Sequence, residues 1–120
     1  MTGAADASVI TRVFEAIESR RTADPEVSYV AKLFSKGTPK IGQKVGEEAV
    51  ETVIAAMLHD RREIVSESAD LLFMLMVLWA DAGVTPSDIY AELEAREGVS
   101  GYEAKKRRKA ERRAATRPPS

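Results

Sequence analysis

Nine consecutive residues, from Leu71 to Trp79, are all apolar. The run is too short to span a bilayer, which needs about 20 apolar residues in a helix. It lies in a longer stretch that ends at Gly83, and glycine is typical of helix C-termini. We therefore predict a helix from about Glu63 to Ala82 that is apolar all round in its later turns. Such a helix must be covered on every side, by other helices or by a second subunit.

The rest of the chain also shows helical periodicity, and no segment alternates apolar and polar residues with a period of two. Gly37 and Pro39 predict a turn or loop within SKGTPKIG, and Pro86 suits the first position of a helix. The sequence thus predicts an all-α bundle of four to five helices. The other helices are expected at about 9–19, within SYVAKLFSKG, from about 41–44 to 58, and at 86–96.

The composition fits one domain, because 44% of the 120 residues are hydrophobic. Cysteine is absent, which excludes a disulfide framework and a thiolate metal site. The N-terminal sequence MTGAADASVI lacks the layout of a secretory signal. We expect a soluble cytoplasmic protein with no membrane partner, in which residues 1–8 are disordered and residues 9–102 form the folded domain.

Residues 103–120 are predicted to be a basic C-terminal tail. Residues 103–117 contain eight Lys or Arg and two Glu, a balance of +6 in a chain whose net charge is −1. Such a segment can be an arm that binds nucleic acid. No aromatic residue interleaves it, however, and no groove-reading motif precedes it. We therefore expect a solvated helix end and no nucleic-acid partner.

Acidic residues recur at helical spacing on the two long predicted helices. Glu51 lies four residues after Glu47 and three after Glu48, so all three project toward one side of a helix. Glu67 and Asp70 are three residues apart on the next helix. The connection between these helices is short, so they should pack as an antiparallel hairpin. The two acidic groups then meet at similar heights.

Five facing carboxylates repel one another unless a cation neutralises them. Oxygen ligands without Cys or a well-placed His favour Mg²⁺, with Mn²⁺ also possible, and Mg²⁺ in proteins commonly binds substrate phosphates. A solvated acidic face is the alternative, but the apolar sequence around both groups favours the metal site. A di-iron site needs Glu-x-x-His pairs. His59 is the single histidine, and Ala56 precedes it by three residues.

The pattern Glu-Glu-x-x-Glu followed by Glu-x-x-Asp resembles the all-α nucleoside triphosphate pyrophosphohydrolase superfamily, which includes MazG and the all-α dUTPases. More narrowly, SYVAKLFSKGTPKIGQKVGEEAVETVIAA and ESADLLFMLMVLWADAGV are similar to the phosphoribosyl-ATP pyrophosphohydrolase family, and the likeness runs from about Phe14 to Tyr102. The resemblance implies a MazG-like fold and the hydrolysis of phosphoribosyl-ATP to phosphoribosyl-AMP and pyrophosphate, in histidine biosynthesis. A house-cleaning pyrophosphatase for another triphosphate and a non-enzymatic helical interaction module remain alternatives.

The acids and the lysines before them have separate roles in this interpretation. The predicted metal ligands are Glu47, Glu48, Glu51, Glu67 and Asp70. Glu48 is the candidate general base that takes the proton of the attacking water. The candidate lysines for substrate phosphates are Lys32, Lys36, Lys40 and Lys44, of which Lys44 is placed beside the acids by helical spacing.

The apolar helix predicted at 63–82 also indicates self-association. The other helices each offer only one apolar stripe, and the N-terminal turn of this helix must face the acidic site. We therefore expect at least a homodimer. The second subunit is predicted to pack against Met74, Val77 or Leu78, in an interface more apolar than a transient one.

Overall fold

The computed structural model describes residues 4–116, and within them it contains six α-helices and no strand. The helices are α1 (Ser8–Ser19), α2 (Tyr29–Lys36), α3 (Thr38–Met57), α4 (Arg61–Ala82), α5 (Pro86–Arg96) and α6 (Gly101–Thr116). The predicted all-α class is confirmed. The helices outnumber the prediction by one, because the basic segment forms α6. Of the residues predicted as disordered (1–8) or as tail (103–120), residues 1–3 and 117–120 lie outside the described residues.

Local capping explains where the site helices begin and end. The Asp60 side chain accepts a hydrogen bond from the Glu63 backbone N–H at 3.2 Å, so α4 begins at Arg61, two residues before the predicted start. Gly83 ends α4 in the left-handed conformation, with φ of 74°. These caps leave three residues, Leu58 to Asp60, between α3 and α4. The predicted antiparallel hairpin therefore forms.

The turn or loop predicted within SKGTPKIG is a sharp turn of one residue and not a loop. A single residue, Gly37, separates α2 from α3, and its φ of 85° suits a residue without a Cβ. Pro39 lies in the first turn of α3, where its missing N–H leaves no hydrogen bond unmade. Gly37 and Pro39 thus mark a sharp junction between two helices. As a result α3 begins at Thr38 and carries Lys40 within its first turn.

The hydrophobic core surrounds the later turns of α4. Ile17 of α1, Ile41 of α3 and Val77 of α4 are almost fully buried. Helix α4 packs against both α1 and α3, and α2 packs against α3. The remaining buried members of the core are Phe14, Leu33, Met74, Met76 and Ala80.

Of the three α4 residues predicted to contact a second subunit, Met74 and Val77 are buried within the single chain, so the prediction is wrong for these two. Met74 is 4% exposed and Val77 is 0% exposed within the single chain, and Leu78 packs partly buried against the same core. These side chains are covered because α4 lies centrally, between α1 and α3. Val65 and Leu72 of α4 are exposed, but most of the exposed large apolar side chains of the hairpin lie on the later turns of α3. These are Val50, Val53, Ile54, Met57 and, just beyond the helix, Leu58.

Two polar contacts hold the C-terminal end of α4 to other parts of the fold. The Arg21 guanidinium donates to the Ala80 carbonyl and stacks 4.8 Å from the ring centroid of Phe34 in α2. The Thr38 hydroxyl donates to the Asp81 carboxylate at 2.6 Å. These contacts tie the start of α3 and the segment before α2 to α4. They therefore help to position the lysines of α2 and α3.

The chain divides into two compact units, of which the first ends at Pro86 and the second begins at Ser87. The first unit contains α1 to α4 and the core. In the second unit α6 has no buried residue, and Glu92 pairs with Arg96 along α5 at 2.8 Å. The predicted extent of the folded domain, residues 9–102, stays a prediction. Within the described residues no single helix is long and apolar enough to cross a membrane, although α4 and α5 together meet that criterion.

Candidate metal centre

Three acidic side chains converge where α3 packs against α4. Glu48 lies on α3, and Glu67 and Asp70 lie one turn apart on α4. One carboxylate oxygen from each residue lies within 4.8 Å of the other two. Glu48 and Glu67 are partly buried, and Asp70 is exposed. The structure thus brings three of the five predicted acids within reach of a single cation.

The burial of two oxygens in this group calls for a counter-charge. Glu48 Oε2 and Glu67 Oε2 are buried and have no hydrogen-bond partner among the described residues. A buried carboxylate oxygen without a partner is costly, and buried charges are normally paired or bind metals. Oxygen-only donors fit a hard divalent cation such as Mg²⁺ or Mn²⁺. The residues present therefore fit the ion that the sequence predicts.

The fourth acid, Glu51, is exposed but lies beside the group. A hydrogen bond with Glu51, followed by burial and the negative charges of Glu51 and Glu48, raises the pKa of Glu67 to about 7. Burial, and then the charge of Glu51, also raises the pKa of Glu48. In the absence of a cation, carboxylates this close share a proton at neutral pH. The electrostatics of the group thus include Glu51 as a member.

Glu47 lies apart from this group. Its carboxylate accepts a hydrogen bond from Gln43 Nε2 at 2.8 Å and pairs with Lys44 Nζ at 3.4 Å. The Gln43 hydrogen bond, followed by Lys44, lowers the pKa of Glu47. Adjacent helical residues point about 100° apart, so Glu47 and Glu48 cannot both face α4 equally well. The metal-ligand role of Glu47 stays a prediction.

The four predicted lysines fall into two sets. Lys44 pairs with Glu47, and this hydrogen bond is the main cause of the raised pKa of Lys44. Lys40 lies close enough to Glu47 for their charges to interact. Lys32 and Lys36, in contrast, line a groove along α2. The phosphate-binding role of all four stays a prediction.

Sequence reasoning missed two polar contacts, one on α3 beside the site and one at the start of α2. Gln43 lies four residues before Glu47, and this spacing could have indicated the hydrogen bond between them. Ser28 caps α2 by accepting from the Ala31 backbone N–H at 3.1 Å. Its position before the helical pattern of SYVAKLFSKG is the usual signal for such a cap.

Residues 10–97 match the family described as phosphoribosyl-ATP pyrophosphohydrolase. The chain belongs to this family. A relative from Azospirillum brasilense, named phosphoribosyl-ATP pyrophosphatase, is 56% identical over 103 residues, which cover 86% of this chain and 93% of the relative. A relative with the same name from Rhizorhabdus wittichii is 65% identical, over 74% of this chain and 84% of the relative. Another, from Paramagnetospirillum magneticum, is 51% identical, over 88% of this chain and 96% of the relative. The predicted resemblance is confirmed.

The phosphoribosyl-ATP pyrophosphohydrolase match contains every candidate site residue, from Lys32 to Asp70. It ends at Glu97, before α6 begins at Gly101. The match therefore covers most of α1 and all of α2 to α5, including the helices that carry the acidic group and the lysines. The basic helix α6 lies outside the match.

The raised pKa of Glu67 predicts how stability depends on pH. Without divalent cations, we expect the melting temperature to fall as the pH rises from about 5 to about 8. The folded state holds a proton on Glu67 up to about pH 7, whereas an unfolded glutamate with a pKa of 4.5 releases it earlier. The folded state thus binds more protons in this interval, and stability falls with rising pH.

Thermal unfolding in a chelating buffer at several pH values measures this dependence. Glu67→Gln cannot ionise and should flatten the profile, whereas Glu15→Gln, at an exposed position on α1, should leave it as in the wild type. Magnesium should raise the wild-type melting temperature most at the alkaline end. An equally steep profile in Glu67→Gln would contradict the assignment of this pH dependence to Glu67.

Proposed function

We propose that the chain hydrolyses phosphoribosyl-ATP to phosphoribosyl-AMP and pyrophosphate with the help of a divalent cation, most simply Mg²⁺. The observation that carries the proposal is the group of Glu48, Glu67 and Asp70, with carboxylate oxygens within 4.8 Å of one another, in a chain of this family. The reaction is a step of histidine biosynthesis, and a cytoplasmic location follows from that role. The relatives' shared name supports the choice of substrate.

The acidic residues of the site have two proposed roles, to bind the cation and to accept a proton. Glu48, Glu67 and Asp70 would hold the cation, with Glu51 beside them. When bound, Mg²⁺ supplies positive charge that neutralises phosphate oxygens and makes a nearby water more acidic. Glu48 is also the proposed general base, because a carboxylate has a second oxygen that can accept the proton of a water while the first faces the cation.

The lysines of α3 act on the phosphates. Lys44 lies beside Glu47 and close enough to Glu48 for their charges to interact. Lys40 lies one turn before Lys44 on the same helix. The ammonium groups of Lys40 and Lys44 can offset the negative charge of the triphosphate and of the departing pyrophosphate. Positive charge for the substrate thus lies next to the carboxylates that would hold the cation.

Release of pyrophosphate from phosphoribosyl-ATP, ATP and dUTP, with and without Mg²⁺, tests the proposal. We expect kcat/KM for phosphoribosyl-ATP to exceed the values for ATP and dUTP by at least about a hundredfold. Phosphoribosyl-ATP carries an additional phosphoribosyl group, which the site can bind through its charge and hydroxyl groups. Activity should disappear when a chelator removes the cation and return with Mg²⁺ or Mn²⁺. Faster turnover of dUTP or ATP would instead indicate a house-cleaning nucleotide pyrophosphatase.

We also propose that the chain is at least a homodimer, which pairs through the apolar stripe of α3. This stripe consists of Val50, Val53, Ile54, Met57 and Leu58, spaced three and four residues apart along one face. Their exposed fractions lie between 52% and 74%. A contiguous apolar surface of this kind on a small chain is typical of a protein–protein interface. A second copy would cover it with the same stripe, as a two-fold axis requires.

A further inference from the structure

A groove runs along α2 on the side away from the core. It has a volume of about 340 Å³, within the range of small-molecule sites. Lys32 and Lys36 lie one helical turn apart in its lining. The other lining residues are Pro25, Glu26, Val27, Ser28, Tyr29 and Ser35.

The two lysines of the groove are not neutralised by the protein. Among the described residues, the ion pairs involve Arg21, Lys44 and Arg96, so neither Lys32 nor Lys36 has a carboxylate within 4.0 Å. Glu26 lies in the lining without pairing to either of them. Two ammonium groups that face one groove without a counter-ion favour an anionic ligand.

One hydroxyl group adds a hydrogen-bond donor to these two cations. Ser28 Oγ accepts from the Ala31 backbone N–H, so its own hydrogen is free to be donated. Ser35 Oγ already donates to the Lys32 carbonyl at 2.7 Å, which fixes its side chain against the helix. Ammonium and hydroxyl donors together suit a phosphate monoester, which offers three strong acceptor oxygens.

Tyr29 relates the groove to Lys44 of α3. It lines the groove, and it lies close enough to Lys44 of α3 for the two to interact electrostatically. Lys44 in turn neighbours Glu47 and Glu48. The groove and the lysines of α3 thus lie on two helices that pack against each other.

The substrate of the proposed function carries phosphate at two separate ends. The triphosphate that reacts is attached to the adenosine, and a single phosphate ends the second ribosyl group, which is attached to the adenine. Because the triphosphate must reach the carboxylate group, the other phosphate requires a second cationic site. We infer that the groove along α2 binds this ribosyl phosphate, with Lys32 and Lys36 as its cations and the Ser28 hydroxyl as a further donor.

This inference rests on the proposed function and separates the four lysines by task. Lys40 and Lys44 face the triphosphate, whereas Lys32 and Lys36 distinguish phosphoribosyl-ATP from ATP. Groups far from the reacting bond contribute by holding the substrate in place. Loss of either lysine should therefore raise KM more than it lowers kcat.

The test compares Lys32→Gln and Lys36→Gln with the wild type on two substrates, phosphoribosyl-ATP and its analogue without the ribosyl phosphate. Each variant should lose about tenfold or more in kcat/KM on phosphoribosyl-ATP, the value of one charge-assisted hydrogen bond. On the analogue, the kcat/KM of the wild type should already be lower than on phosphoribosyl-ATP, and the two variants should have the same kcat/KM as the wild type. Lys109→Gln, on α6 outside the family match, is the control and should match the wild type on both substrates.

The possible outcomes separate this inference from the proposed function. Equal losses on both substrates would assign Lys32 and Lys36 to the triphosphate and overturn the inference, while turnover of phosphoribosyl-ATP would still support the function. Unchanged kinetics in both variants would overturn it as well. A wild-type protein that fails to hydrolyse phosphoribosyl-ATP would overturn the proposed function and this inference together. Unchanged melting temperatures would show that both variants fold.

Discussion

Asp70→Asn should reduce the Mg²⁺-dependent release of pyrophosphate by at least about a hundredfold, since even the partners of metal ligands typically contribute 10–100-fold. Asp70 is exposed, and its carboxylate oxygen lies within 4.8 Å of those of Glu48 and Glu67. The amide keeps the shape of the side chain but removes the charge that attracts the cation. Steady-state kinetics at increasing Mg²⁺ concentration measure the loss, and a higher Mg²⁺ requirement would show that it acts through metal binding.

The same substitution should not unfold the protein. Removal of one negative charge from a repelling group leaves the melting temperature in a chelating buffer equal to that of the wild type or slightly higher. Glu51→Gln should behave alike, because Glu51 contributes negative charge beside Glu48 and Glu67. Glu15→Gln, an exposed carboxylate on α1, is the matched control. Full activity in both Asp70→Asn and Glu51→Gln would contradict the proposed metal centre.

The sequence predicts the meeting of the two acidic groups because local spacing decides it. Glu67 and Asp70 share a face because they are three residues apart on α4. The connection between α3 and α4 has only three residues, so the two helices pack side by side. The same reasoning could not rank Glu47 against Glu48. Which of two adjacent glutamates turns toward α4 depends on the rotation of α3 about its axis, and packing against α2 and α4 sets that rotation.

The position of the apolar surface could not be predicted for a similar reason. Nine consecutive apolar residues indicate that α4 needs cover on all sides, but not which neighbour supplies it. The structure covers Met74 and Val77 within the chain. Most of the exposed apolar side chains of the hairpin lie on α3, where VETVIAAML shows an ordinary amphipathic pattern. Which apolar residues are buried in a single chain depends on how the helices pack together, so the sequence of one helix does not determine it.

Val53→Asp should convert the proposed dimer to a monomer. Val53 is 61% exposed in the single chain and lies in the middle of the apolar stripe of α3. In a symmetric interface the substitution places two carboxylates close together in an apolar setting, and burial of such unpaired charges costs several kcal/mol. We therefore expect the dimer dissociation constant to rise by at least about a hundredfold. Sedimentation velocity at micromolar concentration distinguishes the chain mass of 13.1 kDa from about twice that value.

Val27→Asp provides the matched control, because Val27 is 83% exposed and lies outside the helices and outside the stripe. It adds the same charge and should leave the dimer intact. In a monomeric protein Val53→Asp would be a surface substitution, and such changes usually alter stability by less than about 0.5 kcal/mol. A folded dimer of Val53→Asp would therefore place the interface elsewhere. A wild type that sediments at 13.1 kDa would show that the apolar stripe of α3 is not a surface for self-association.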